Sequence, residues 1–150
     1  MKTALLGIDV GTSACKVAAF DLEGHVLAQA AESYPVLYPQ PGWAEQDPQQ
    51  WWEAVCKALR RLWESGAVAP GEVAGVGIDG QSWSAIPLDK EGRALCNTPI
   101  WMDTRAGSLC QELEARVGGG KIFRLQRQPL VRLLHFAQGA VVQGAPAPGL

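Results

Sequence analysis

Apolar and polar positions alternate at short period over the first third of the chain and then change to a longer one. Ala4 to Val10 is apolar except for Asp9, and a second such run, Lys16 to Asp21, begins beyond the turn Gly11-Thr12-Ser13. Short runs bounded by glycine and hydroxyl residues read as β-strands, and so brief a turn forces them to lie antiparallel. Asp21-Leu22-Glu23-Gly24 makes the next turn, from which His25 to Tyr34 returns as a third strand. Pro35, Pro39, Pro41 and Gly42 then stiffen a surface connection. Asp47 suits a helix N-cap and Pro48 its first turn. From there Trp51 or Trp52, Val55, Leu59 and Leu62 recur at helical spacing, which predicts a helix from Pro48 to about Glu64 with one face to bury.

Gly66 and Pro70-Gly71 stop that helix. Val73 to Asp79 reads as a buried strand and Trp83 to Leu88 as another, separated by Gly80-Gln81-Ser82, where small residues let a ligand approach the backbone. Asp103 is placed to cap a further helix from about Thr104 to Val117, ended by Gly118-Gly119-Gly120. A short helix at Leu130 to Ala137 is the most that the remainder suggests, and its last ten residues read as a loose tail. Three hairpin-linked strands followed by a helix and a strand predict an α/β fold with a mixed sheet, not a purely parallel dinucleotide-binding one.

With 150 residues, 47% hydrophobic and 19% charged, the chain is able to bury a core without disulfides or metals. A net charge of -2 offers no general attraction to nucleic acid or an anionic membrane, so neither is expected as a partner. Cys15, Cys56, Cys96 and Cys110 form no CxxC pair and read as ordinary thiols in a reducing compartment. The apolar run Ala4 to Ile8 is too short to span a membrane and lacks a signal-peptide layout, which makes a cytoplasmic location the default.

The densest chemical signal is Gly7-Ile8-Asp9-Val10-Gly11-Thr12-Ser13. An aspartate at a strand end can face a hydrated divalent cation, and the glycine and hydroxyl residues after it can offer donors to a phosphate. Neither a Walker loop nor GxGxxG is present. By itself the segment is equally a hairpin with a capping aspartate.

Four segments in order change that balance: Leu6 to Asp21 (LGIDVGTSACKVAAFD), Pro41 to Trp52 (PGWAEQDPQQWW), Gly77 to Asp89 (GIDGQSWSAIPLD) and Asn97 to Ala106 (NTPIWMDTRA). Together they resemble the N-terminal part of the FGGY carbohydrate kinases, most closely the xylulokinase-like members. The resemblance implies a ribonuclease H-like, actin-like ATPase domain with a mixed sheet, incomplete here: a partial domain over residues 1–125 and a divergent tail over 126–150. It implies ATP and Mg2+ as cofactors, with Asp9 toward the metal, Gly11, Thr12 and Ser13 in the first phosphate loop, and Lys16 either supporting the phosphate or lying solvated on its strand. On the sugar side it implies Gln81, Ser82 and Trp83, where Ser82-Trp83-Ser84 replaces the Met-His-Gly of many xylulokinases, so that the sugar's identity is left open. Gln81 can equally support the backbone. Trp101 can wall the pocket or pack in a core, and Asp103 and Arg105 can bond hydroxyls or hold their loop.

The resemblance further implies a small sugar substrate, a ketopentose such as D-xylulose, and a homodimer for the full-length enzyme. The general base is expected beyond residue 150, so no catalytic residue is assigned within the chain and the isolated chain is expected to be inactive. The Pro/Gly/Ala-rich close suggests a frameshifted or misjoined gene end. The alternatives are a nonenzymatic phosphate- or partner-binding remnant and, less favoured, an actin-like ATPase without sugar specificity.

Overall fold

A computed structural model describes residues 3–126. The described residues divide into two units, one running up to Val36 and again from Asp47 to Gln81, the other of Leu37 to Gln46 together with the described residues from Ser82 onward.

The first unit is a sheet under one helix. Strands β1 (Ala4–Val10), β2 (Ala14–Phe20) and β3 (Val26–Ser33) form the antiparallel meander, and β5 (Val73–Gly80) joins parallel to β1, giving the order β3-β2-β1-β5. The sheet is therefore mixed. Alternation decides which side chains meet the helix: Leu6 and Ile8 of β1 and Cys15, Val17 and Ala19 of β2 are buried. Their neighbours Gly7, Asp9, Lys16 and Ala18 face the opposite way, because a one-residue step reverses the face.

Helix α1 (Pro48–Glu64) covers the buried side. Asp47 caps it, its Oδ1 accepting the Gln49 N–H at 2.9 Å, and Pro48 occupies the first turn. Ala54, Val55, Ala58 and Leu62 are its buried stripe, flanked by Trp51, Leu59 and Trp63. Trp52, one of two candidates for that stripe, instead faces solvent at 64% exposure, since it lies about 100° around the helix from Trp51. Gly66 adopts φ +70 just past the helix end, a left-handed geometry that disfavours a side chain. Glu32 of β3 pairs with Arg61 at 2.7 Å and Lys57 at 3.6 Å, tying the helix to the sheet margin.

The helix covers β2 and β3 but reaches β1 only marginally. Val76 and Ile78 of β5, the register partners of Leu6 and Ile8, consequently remain uncovered, Ile78 at 75% exposure. The outer edge of β5 has no neighbour among the described strands.

In the second unit β4 (Glu45–Gln46) pairs antiparallel with β6 (Thr98–Pro99), and α2 (Gly107–Val117) and α3 (Gly119–Gln126) follow. Three expectations change here. Trp83 to Leu88 is no strand; only Leu88 bridges Ala94, and Trp83 sits at φ +69, a conformation incompatible with a continuing strand. Helix α2 starts after Ala106 and not at Thr104, so Asp103 does not cap it; its carboxylate accepts the Arg105 and Ala44 backbone N–H groups together with the Arg105 guanidinium. The glycines after Val117 do end α2, yet α3 begins at once from Gly119. The helix suggested at Leu130 to Ala137, and the tail assigned to 126–150 apart from Gln126, lie outside the described residues.

Leu62, 1% exposed beneath the sheet, should be the most sensitive position of α1. Leu62→Ala is expected to destabilise the chain by about 2–5 kcal/mol in urea denaturation. Trp52→Gln should change stability by no more than about 0.5 kcal/mol.

Candidate functional site

The open side of the sheet carries the first group of polar residues. Gly7-Ile8-Asp9 and Gly77-Ile78-Asp79 are the same tripeptide on two parallel strands, paired residue for residue: Gly7 with Gly77, Ile8 with Ile78, Asp9 with Asp79. The glycines give a flat floor and the aspartates stand side by side beyond it. A groove of about 890 Å³ runs over this floor, bordered by Asp9, Asp79, Lys16 and Gln29. Lys16 is the cross-strand partner of Asp9, with Nζ 3.7 Å from Oδ2 and both side chains largely solvated. Such a pair is loose and easily exchanged for a ligand's charge. One Asp79 oxygen accepts the Gly80 N–H at 2.8 Å.

The loop Gly11-Thr12-Ser13 closes the β1–β2 end of this unit. The Gly11 N–H donates to the Ala14 carbonyl at 3.1 Å, and a side chain on Gly11 would begin 3.3 Å from that carbonyl and 3.7 Å from both Asp9 carboxylate oxygens. Glycine therefore leaves room for the turn back onto the Ala14 carbonyl. Cys15, two residues beyond the loop, is buried, and burial followed by the nearby Asp9 charge raises its thiol pKa, which keeps it protonated at neutral pH. Among the described residues no three potential metal ligands gather.

Gln81 ends the first unit, its N–H donating to the Val10 carbonyl at 2.9 Å as a continuation of the β1–β5 ladder. The remaining sugar-side candidates belong to the second unit. There Trp83 and Trp101 each stay 43% exposed, Ser82 precedes the left-handed Trp83, and the Asp103 side chain is fully buried. Asp103 Oδ2 accepts the Ala44 N–H at 2.7 Å and Arg105 Nη2 at 2.7 Å, while Arg105 Nε lies 2.9 Å from both of its oxygens. The guanidinium also reaches Glu45 at 2.6 Å and stacks 3.6 Å from the Trp43 ring centre. Burial alone would pull Arg105 below its usual pKa, but its bonds to Asp103 and Glu45 outweigh burial and hold it higher. Asp103 and Arg105 thus hold their loop in this structure. Trp43 and Glu45, both within the Pro41 to Trp52 segment, are members of the same cluster.

Asp79 escaped the sequence reading as a site residue. Its signal was the repeated Gly-Ile-Asp tripeptide, meaningful only once β1 and β5 are known to be parallel neighbours.

A mixed sheet with paired carboxylates at the ends of parallel strands and a glycine turn beside them defines the class: a ribonuclease H-like, actin-like domain. The xylulose kinase of Rhodospirillum rubrum superimposes with a TM-score of 0.85 over 93% of this chain and 29% of that one, at 25% identity. The profile of the FGGY family of carbohydrate kinases, N-terminal domain, matches residues 4–135, and the chain belongs to that family. It is 38% identical to the xylulose kinase of Escherichia coli K12 over 117 residues, and 37% identical to the glycerol kinase of Paracidovorax citrulli over 112. Those stretches are 78% and 74% of this chain but 24% and 22% of the two kinases, so the chain spans about a quarter of their length. No helix among the described residues is long and apolar enough to cross a membrane.

Removing the guanidinium would strand a fully buried carboxylate. Arg105→Met is expected to lower stability by about 3–5 kcal/mol in chemical denaturation. Arg105→Lys should recover only a minor part, because an ammonium has neither the planar fork nor the stacking face.

Proposed function

We propose that the full-length protein containing this domain transfers a phosphoryl group from ATP to a hydroxyl of a ketopentose, converting D-xylulose to D-xylulose 5-phosphate in the cytoplasm. The observation that carries the phosphate half is the in-register pair Asp9 and Asp79 above a glycine floor, beside the Gly11-Thr12-Ser13 loop. Open carboxylates on a shallow floor suit polyphosphate bound with a cation, where an isolated anion would be repelled.

The donor set suits Mg2+. Two hard carboxylate oxygens are what an ion that retains most of its water and takes further oxygens from phosphate requires of a protein. Asp9 and Asp79 would hold it, and when bound it supplies charge neutralisation to the phosphates. Lys16 would exchange its loose contact with Asp9 for phosphate oxygens, and the loop would present backbone donors. The attacking sugar hydroxyl must lose its proton to a carboxylate in line with the transferred group. No residue of this chain is assigned that task; we place the base in the part of the kinase that this chain does not span.

On the sugar side, Trp83 and Trp101 would offer apolar ring faces to the carbon skeleton, with Gln81 and Ser82 adding polar contacts. Asp103 and Arg105 would act by fixing the loop that carries Trp101. D-xylulose is favoured over glycerol because the four segments taken together resemble the xylulokinase-like members most closely, even with Ser82-Trp83-Ser84 in place of the Met-His-Gly of many of them.

The intact mass of the native product in its cells determines the assay. For a product several-fold larger than this chain, a panel of D-xylulose, other ketopentoses and glycerol should give the highest kcat/KM with D-xylulose. A higher value for glycerol would replace the substrate, and ADP formation indifferent to every sugar would overturn the kinase assignment. The 150-residue chain alone should produce no sugar-dependent ADP. A native product of that size would favour the phosphate-binding remnant.

A further inference from the structure

Tyr34, immediately after β3, is only 7% exposed, and neither end of it is idle. Its backbone N–H donates to the Ser13 carbonyl at 3.2 Å, and its hydroxyl reaches the Gly11 carbonyl at 2.5 Å. One residue from a different strand thus grips the β1–β2 loop at both flanks of Thr12. The Gly11 N–H is tied internally to Ala14, so the phenol supplies the external restraint on the Gly11 side.

Peptide planarity gives that restraint a direction. The Gly11 carbonyl and the Thr12 N–H belong to one trans peptide and point opposite ways, so a hydroxyl that fixes the first also fixes the heading of the second. A glycine loop has many backbone headings open to it, and an outside hydrogen bond is an economical way to select one. Burial first, then the Cys15 thiolate that forms only at high pH and the Asp9 charge, lifts the Tyr34 phenol to about 12, which leaves it a neutral donor throughout the physiological range. A phenylalanine would fill the same space and lack only the donor.

We infer that Tyr34 is a positioning residue of the phosphate loop: its hydroxyl, acting through the Gly11 carbonyl, sets the orientation of the Gly11–Thr12 peptide presented to a phosphate. The inference rests on the reading of Gly11 to Ser13 as a phosphate loop. It goes beyond that reading by assigning the loop's shape to a residue outside every motif of the chain.

The test compares the full chain with Tyr34→Phe and with Leu62→Ala, a core variant remote from the loop. Pyrophosphate with Mg2+ is titrated while the backbone amides of Thr12 and Ser13 are followed by NMR, and exchange of the Gly11 amide is measured without ligand. Tyr34→Phe is expected to weaken pyrophosphate binding about five- to tenfold, the equivalent of one hydrogen bond. It should also speed Gly11 exchange about tenfold through local opening. Leu62→Ala should lower the urea midpoint and leave the affinity where it was. Unchanged affinity and exchange in Tyr34→Phe would overturn the inference while sparing the phosphate loop. Equal losses of affinity in both variants would reduce Tyr34 to a stability element and overturn it too. Absence of any pyrophosphate response in the unsubstituted chain would overturn the loop reading and the inference together.

Discussion

Strand β1 is hydrogen-bonded along both edges, antiparallel to β2 and parallel to β5, and the other features of its unit depend on that double pairing. A strand held on two sides cannot slip by one residue without exchanging its faces. Leu6 and Ile8 are therefore committed to the helix side, and Gly7 and Asp9 to the open side. The parallel neighbour extends the same rule to Gly77 and Asp79, so the acidic pair follows from the in-register pairing of two strands that share the Gly-Ile-Asp tripeptide, of which only the β1 isoleucine is buried. The chemistry of the groove is in this sense a by-product of how the core alternates.

Much of this arrangement was legible from residues alone, for reasons specific to each part. The meander was readable because Gly11-Thr12-Ser13 and Asp21 to Gly24 leave no room for anything but tight turns. Helix α1 was readable to its ends because Asp47, Pro48 and Gly66 mark them chemically. The second unit was less transparent. Trp83 to Leu88 has the composition of a strand, but a left-handed Trp83 and the lack of a partner ladder keep it irregular. Asp103 looked like a helix cap because capping is a local act, whereas its actual partners Ala44 and Arg105 include one 59 residues away. Long-range pairings of this kind leave little trace in a single sequence.

The two groups of candidate residues also differ in physical character. Asp9, Asp79 and Lys16 are solvated, weakly paired and able to change partners, as a site for a charged, exchanging ligand requires. Asp103 is buried, Arg105 and Glu45 are part-buried, and short bonds from Arg105 join the three, which suits a rigid support. Trp83 and Trp101 of the same unit stay part-exposed, so the second unit offers apolar contact on a stiff frame while the first offers charge on a yielding one.

The uncovered β5 leaves the sheet open to extension. Among the described strands nothing pairs with its outer edge, and the sequence VAGVGIDG supplies neither lysine nor proline to discourage pairing. Edges of this kind are templates for strand addition by any extended polypeptide, and Ile78 makes this one adhesive as well. A further strand laid along that edge, from this chain or from a longer protein that contains it, would satisfy its backbone donors and acceptors and cover Ile78 in one step.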